Sequence, residues 1–352
     1  MAENTKIEWC NATFNPWIGC SKVSDGCKNC YAETLMDKRY GRVEWGQAGV
    51  RQRTSANYWK KPHQWNKQQW KQCSDCGWRG DVRPIVVPGG CPSCRNWNLK
   101  NARQRVFCAS LADIFEDKPD QPELEEWRFD LFNLIVETPN LDWLLLTKRP
   151  ENINPMIELA TGFSDAGMWF HAARNVWVGT SVEDQATANE RIPELLKVSA
   201  RVRFLSCEPL LGPIDIPLFK CTECNQPTTQ DASEEWGHRC AIGWDNVPAG
   251  TGKCESYLRQ GIHWVIAGGE SGPSARHLPP KWVRVLRNQC VETDTPFFFK
   301  QWGEWLPTEP DIELDRLGID TTAAFSKVGK KAAGRHLDGE LWSQFPGVGA
   351  ER

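Results

Sequence analysis

From Arg105 onward the chain repeats one pattern six times: a short apolar run that ends in polar residues, with helix-like stretches among the runs. The runs are "RVFCAS" (105–110), "LDWLLLTKRP" (141–150), "NVWVGTSVED" (175–184), "RVRFLSCEPL" (201–210), "IHWVIAGGESG" (262–272) and "TPFFFKQWGEW" (295–305). Among them, "EEWRFDLFNLIVET" (125–138), "QATANERIPELLKV" (185–198) and "PKWVRVLRNQCVET" (280–293) carry apolar residues at helical spacing. Unbroken apolar runs between helices are how strands buried on both faces read, so a parallel sheet is expected. A seventh strand fits "EWCNATFNPW" (8–17), just ahead of a cysteine-rich loop. The expected fold class is therefore α/β, a TIM-barrel-like partial or complete βα barrel.

One domain over residues 1–352 accommodates this pattern, with a C-terminal cap from about 306 to 352. Within that cap "SKVGKKAAGRHLDGELW" (326–342) has turn signals and reads as hairpin-like. Two stretches interrupt the pattern as insertions, 60–104 and 214–260. No basic-then-apolar secretory start and no long apolar span is present, which points to a cytoplasmic protein without a membrane role. Thiols stay reduced there, so fifteen cysteines in clusters suggest metal rather than disulfides.

The first insertion pairs "CSDC" (Cys73, Cys76) with "CPSC" (Cys91, Cys94) fourteen residues later. Two such knuckles match a closed tetrahedral zinc site, which would staple a zinc-ribbon-like module. Its flanks, "KKPHQWNKQQWKQ" (60–72) and "RNWNLKNARQR" (95–105), are basic and contain tryptophan; they read first as a solvated charged face, with a nucleic-acid contact as the alternative. The overall charge of −3 gives no global nucleic-acid signature. The second insertion offers Cys221, Cys224, Cys240 and Cys254 as a possible second zinc site, with His238 as an alternative ligand.

"GCSKVSDGCKNC" (19–30) leaves Cys20, Cys27 and Cys30 without a fourth thiol at matching spacing. Three thiolates on one side of a metal centre leave a position open, as in a four-iron cluster with one iron free for a small molecule. A zinc ion completed by Cys10, or cysteines without metal, remain alternatives. The strand ends supply polar groups for a pocket, and Ser110, Asp113, Thr180, Glu208, Glu270 and Lys300 are the candidate cofactor-binding residues. Lys300 could pair with Glu208 or Glu270 to keep buried charges satisfied. No nucleophile–base arrangement is legible, and no catalytic residue is assigned.

Seven segments, "NPWIGCSKVSDGCKNCYAE", "FCASLADIFED", "LLLTKRPENI", "VWVGTSVEDQ", "RFLSCEPLLGPI", "VIAGGESGP" and "FFFKQWGEW", together resemble an uncharacterised, largely phage-associated protein family with a radical-SAM-type three-cysteine motif. The resemblance covers nearly the whole chain outside the two insertions. It implies a partial or complete βα barrel in which Cys20, Cys27 and Cys30 hold a [4Fe-4S] cluster. The open iron of such a cluster chelates S-adenosylmethionine, and one electron from a donor cleaves it to methionine and a 5′-deoxyadenosyl radical. The spacing departs from the commonest radical-SAM motif, with six residues in the first gap. Asn29 also stands where an aromatic usually precedes the third cysteine, and Tyr31 follows it instead. "GGESG" lies after a late strand, so Glu270 is a pocket residue by position alone. The expected function is radical-SAM-type chemistry, with nucleic acid or a nucleotide as the candidate substrate and a partner protein as a candidate partner. The alternative is a non-catalytic, zinc-stabilised nucleic-acid-binding phage protein.

Overall fold

A computed structural model describes residues 5–82, 90–216, 261–307 and 325–347, together with the backbone of 219–220 and 227–228. The second insertion, with Cys221, Cys224, His238, Cys240 and Cys254, lies outside the described residues.

Seven strands form one sheet: β1 (Ala12–Thr13), β2 (Gln104–Cys108), β3 (Leu141–Thr147), β4 (Val176–Ser181), β5 (Val202–Cys207), β6 (Trp264–Gly268) and β7 (Phe297–Gln301). They are adjacent in chain order, and every pairing is parallel. The six apolar runs are β2–β7, and the seventh strand is the short edge β1 leading into the cysteine loop. Helices α1 (Glu123–Glu137), α2 (Ile153–Thr161), α3 (Ala166–Ala172), α4 (Gln185–Leu196) and α5 (Pro280–Glu292) surround the sheet. The helical periods at 125–138, 185–198 and 280–293 correspond to α1, α4 and α5. Asp184 caps α4 by accepting the Thr187 N–H at 2.8 Å, with the Thr187 hydroxyl near the Asp184 N–H, a reciprocal capping box.

The sheet curls into a half-barrel. Its outer face, with Val106, Leu145, Val178, Leu205, Val265 and Phe297, packs into the large core beneath the helices. Alternate residues point inward, where Phe107, Leu144, Trp177, Phe204, Trp264, Ile266 and Phe298 join Trp9 and Cys10. The Trp9 ring lies 4.6 Å from that of Phe107 on β2 and 6.2 Å from that of Trp264 on β6. In a flat sheet those two strands would stand about 19 Å apart, so only strong curvature lets one indole touch both. Gly179 makes room inside: a Cβ there would sit 2.5 Å from the Phe204 ring. Several of the chain's nineteen tryptophans are thus filling for a narrow interior.

The C-terminal segment covers the β7 edge. Phe345 packs on Trp264 with ring centroids 5.1 Å apart, Gln344 accepts the Trp264 indole N–H at 2.9 Å, and Phe298 bridges Ser343. A hairpin of His336–Leu337 and Glu340–Leu341 turns through Asp338 and Gly339, both at positive φ. Within the first insertion, a separate three-stranded antiparallel sheet sets Trp70–Cys73 between Arg79–Asp81 and Leu99–Asn101, while the helix Lys61–Trp65 ahead of it packs Trp65 into the large core. No helix among the described residues is long and apolar enough to cross a membrane.

Trp264 is fully buried and touches five aromatic rings. Trp264→Ala is therefore expected to cost about 3–5 kcal/mol, read as a lowered denaturant midpoint in equilibrium unfolding. A loss below about 1 kcal/mol would mean the inner cluster is not a core.

Candidate functional site

The cysteine loop leaves β1 and crosses the carboxyl ends of the strands. Cys20, Cys27 and Cys30 all line one cavity of about 190 Å³ there. Its walls include Phe107, Leu146, Ser110, Asp113, Thr147, Lys148, Arg149, Ser181 and Tyr31. The site therefore occupies the face of a parallel α/β sheet where ligands ordinarily bind.

Charge pairs hold the loop in place. Glu116 takes two hydrogen bonds from Arg51, at 2.7 and 2.8 Å, with both side chains almost wholly buried. The same carboxylate accepts the Ser21 N–H at 2.8 Å and the Ser21 hydroxyl. Arg149, at the end of β3, donates to the carbonyl and hydroxyl of Ser21 at 3.0 Å each, and to Asp113 at 2.9 Å. Its guanidinium stands 3.9 Å from the Cys20 sulfur. Burial opposes ionisation of Glu116, but hydrogen bonds from Arg51 and Ser21 and the charges of Arg51 and Arg149 hold its carboxyl below the usual range. Burial pushes the Cys20 thiol up, Asp113 and Glu116 push it further, and Arg149 opposes them.

The rest of the loop is tied to later strands. Glu183, beyond β4, accepts from the Ser24 hydroxyl at 3.1 Å, from Arg191 at 3.0 Å and from Lys148. Gly26 packs on that carboxylate so closely that a Cβ would lie 2.4 Å from Oε1. Asn29 donates to Glu270, beyond β6, at 3.1 Å and to the Ser274 carbonyl at 2.8 Å. Burial disfavours the charged form of Glu270, but hydrogen bonds from Arg276 and Asn29 keep its carboxyl below the usual range. Cys30 opens a short helix, Tyr31–Glu33, which continues as one π-helical stretch, Thr34–Arg39. Burial raises the Cys30 thiol, while the backbone N–H groups of Glu33 and Ala32 work the other way.

The candidate residues divide by position. Ser110 and Asp113 line the cavity with the three cysteines. Asp113 is committed: it accepts from the Phe115 N–H, the Thr147 hydroxyl, the Lys148 N–H and Arg149. Ser110 exchanges hydrogen bonds with Asn15, and its carbonyl accepts the Tyr31 hydroxyl at 2.6 Å. Thr180 points to the outer face, where its hydroxyl donates to the Thr147 carbonyl at 2.9 Å; the next residue, Ser181, faces the cavity. Glu208 and Lys300 pair at 2.8 Å at the ends of β5 and β7, outside that cavity's lining. Cys207 sits in the outer core and Cys10 in the inner cluster. Sequence reasoning missed Arg51, Glu116, Ser21 and Arg276. No local signal marks them, because each matters through a partner distant in sequence, Arg276 excepted.

The second thiol group is tighter. The ligand atoms of Cys73, Cys76, Cys91 and Cys94 all lie within 4.8 Å of one another, the only such group of His, Cys, Asp or Glu among the described residues. Cys73–Cys94 and Cys76–Cys91 sulfurs are 3.6 Å apart. Thiolates about 2.3 Å from a tetrahedral ion would stand roughly 3.8 Å apart, whereas a disulfide needs about 2.05 Å. The four cysteines thus have the spacing of a metal-ion site. The Trp78 N–H, followed by the neighbouring thiols, pulls Cys76 down to about 6. In Cys94 the Asn96 N–H works downward, but burial and the other three thiols push the group up to about 12. Arg79 ties this module to Asp142 at the start of β3, 3.3 Å away. The module therefore sits at the amino end of the sheet, opposite the cavity.

The family described as "Protein of unknown function (DUF5131)" matches residues 4–346. The chain belongs to this family. No curated protein and no solved structure matches it.

Two outcomes follow from the geometry. Glu116→Ala leaves Arg51 buried without its partner and should cost about 3–5 kcal/mol. It should also raise the reactivity of Cys20 toward a thiol reagent, and unchanged labelling would show that the network does not seat the loop. Cys76→Ser should lower bound metal by about one ion per chain, measured by elemental analysis against the unaltered protein.

Proposed function

We propose that the protein is a radical-SAM-type iron–sulfur enzyme, with Cys20, Cys27 and Cys30 as ligands of a [4Fe-4S] cluster. The observation that carries the reading is that three thiols from one loop line a single cavity at the carboxyl ends of a parallel half-barrel. Their geometry is compatible with it. They form no close group of the kind that a single ion draws together, and each thiolate of a cluster binds its own iron. Cys10, the fourth ligand that a lone zinc would need, is committed to the aromatic interior. The resemblance of the cysteine motif to that of radical-SAM proteins supports the same reading.

With S-adenosylmethionine, such a cluster supplies one-electron reductive cleavage of the sulfonium. The chain's own residues position and exclude. Arg149 places positive charge beside Cys20 and offsets the negative charge of a thiolate shell. Phe107 and Leu146 give the cavity an apolar side that keeps water out, while Ser110, Lys148 and Ser181 offer polar contacts to an amino-acid or ribose group. Tyr31, anchored on the Ser110 carbonyl, stands at the mouth. Glu208, Lys300 and Glu270 lie further round the strand ends and suit substrate contacts. The Cys73–Cys94 group holds a structural zinc ion in this reading. The substrate is a nucleic acid or nucleotide, favoured by the basic, tryptophan-bearing module.

The second reading, a zinc-stabilised nucleic-acid-binding protein without catalysis, draws on the same module and has every cysteine group, the loop's included, hold zinc. Anaerobic purification with iron and sulfide analysis separates the two. About four irons per chain are expected, lost in Cys20→Ser and Cys27→Ser, with 5′-deoxyadenosine formed from S-adenosylmethionine under a strong reductant. Zinc alone, or iron without that product under several reductants, would overturn the enzymatic reading.

A further inference from the structure

We infer that the four-cysteine module is a holding surface for single-stranded nucleic acid, with Trp97 as its stacking platform. This rests on the substrate class proposed above, but not on the iron–sulfur centre. Residues 60–104 contain nine Lys and Arg against two Asp, while the rest of the chain carries 33 basic and 43 acidic residues. Even with the charge of −2 that four thiolates around a divalent ion contribute, this stretch, the module with the helix leading into it, is a basic island on an acidic protein.

The fold then sorts its tryptophans. Trp65 is buried in the core, and Trp70 is half-buried with its indole N–H on Gln68 at 2.9 Å. Trp97 is 77% exposed, more than any other large hydrophobic side chain among the described residues. It sits at the knuckle tip, fixed on both sides by backbone. Asn96 accepts the Cys91 N–H at 2.7 Å, and Asn98 accepts the Ser74 N–H at 2.9 Å. A rigidly mounted indole in water has no folding role to explain it, whereas every base has a face that can stack on it.

Arg95 and Lys100 flank Trp97 on the same segment, are exposed, and have no carboxylate partner among the described residues. Arg79 and Arg103, by contrast, are spent on Asp142, where they dock the module. Free cations beside an exposed aromatic fit a backbone phosphate next to a stacked base. The module docks on Asp142 at the start of β3, and the seven residues of that strand carry the chain about 20 Å to the cavity end, so the module grips the strand away from the site of chemistry.

The test uses the full chain with its metal and a fluorescein-labelled thymidine oligonucleotide of about 20 nucleotides, longer than one binding site of this type. Anisotropy should rise to saturation at about 50 mM salt and weaken steeply by about 200 mM. Trp97→Ala should weaken binding about tenfold or more, and Arg95→Glu with Lys100→Glu should weaken it further and flatten the salt slope. Both variants alter surface side chains, so bound metal and circular dichroism should match the unaltered protein. Absence of binding by the unaltered protein, full-strength binding by Trp97→Ala, or tighter binding of the matching duplex or of polyglutamate would each overturn the proposal. Iron content and S-adenosylmethionine cleavage are read separately, so failure here leaves the iron–sulfur reading standing, and the reverse.

Discussion

The buried ion pair between Arg51 and Glu116 is the constraint on which the candidate site depends. A carboxylate removed from water has to be matched, and Glu116 is matched twice over, by the Arg51 fork and by Ser21 of the cysteine loop. Because Ser21 adjoins Cys20, satisfying Glu116 also fixes one cysteine. Arg149 then connects that fixed point to Asp113, so the ends of β2 and β3 and the loop share one network. Farther along, Glu183 and Glu270 repeat the arrangement through Ser24 and Asn29. A loop with few apolar contacts of its own is thereby held by charge rather than by packing.

Beneath it lies a core of a different kind. The inside of the half-barrel is filled largely with aromatic rings from alternate strand positions. Phe107 and Leu146 belong to that filling and also form part of the cavity wall. The interior is thus continuous with the apolar side of the candidate site. The open edge beyond β7 is covered by the C-terminal segment, whose Phe345 inserts into the same cluster.

Two thiol sets at opposite ends of the sheet differ in geometry. Cys73, Cys76, Cys91 and Cys94 stand close enough to close around one ion, on a small sheet with little core of its own. Such a sheet gains most from a metal staple, since it cannot bury enough apolar surface alone. Cys20, Cys27 and Cys30 line a cavity instead. The first arrangement closes on itself, and the second borders open space.

The sequence by itself determined the strands, α1, α4 and α5, and the cysteine pairs of the first insertion. Each is written in local periodicity or short spacing, which the backbone obeys wherever it finds itself. It did not announce α2 or α3: "INPMIELAT" and "AGMWFHA" are short, and burial on neighbouring helices stabilises them. Nor did it decide which strand-end hydroxyl enters the cavity, since Thr180 and Ser181 exchange faces with a shift of one residue. Tertiary structure alone brought Arg51 to Glu116, 65 residues away, and left Trp97 in solvent while burying Trp65. Charge pairing and exposure depend on what the chain packs against, and that is set only when the sheet curls.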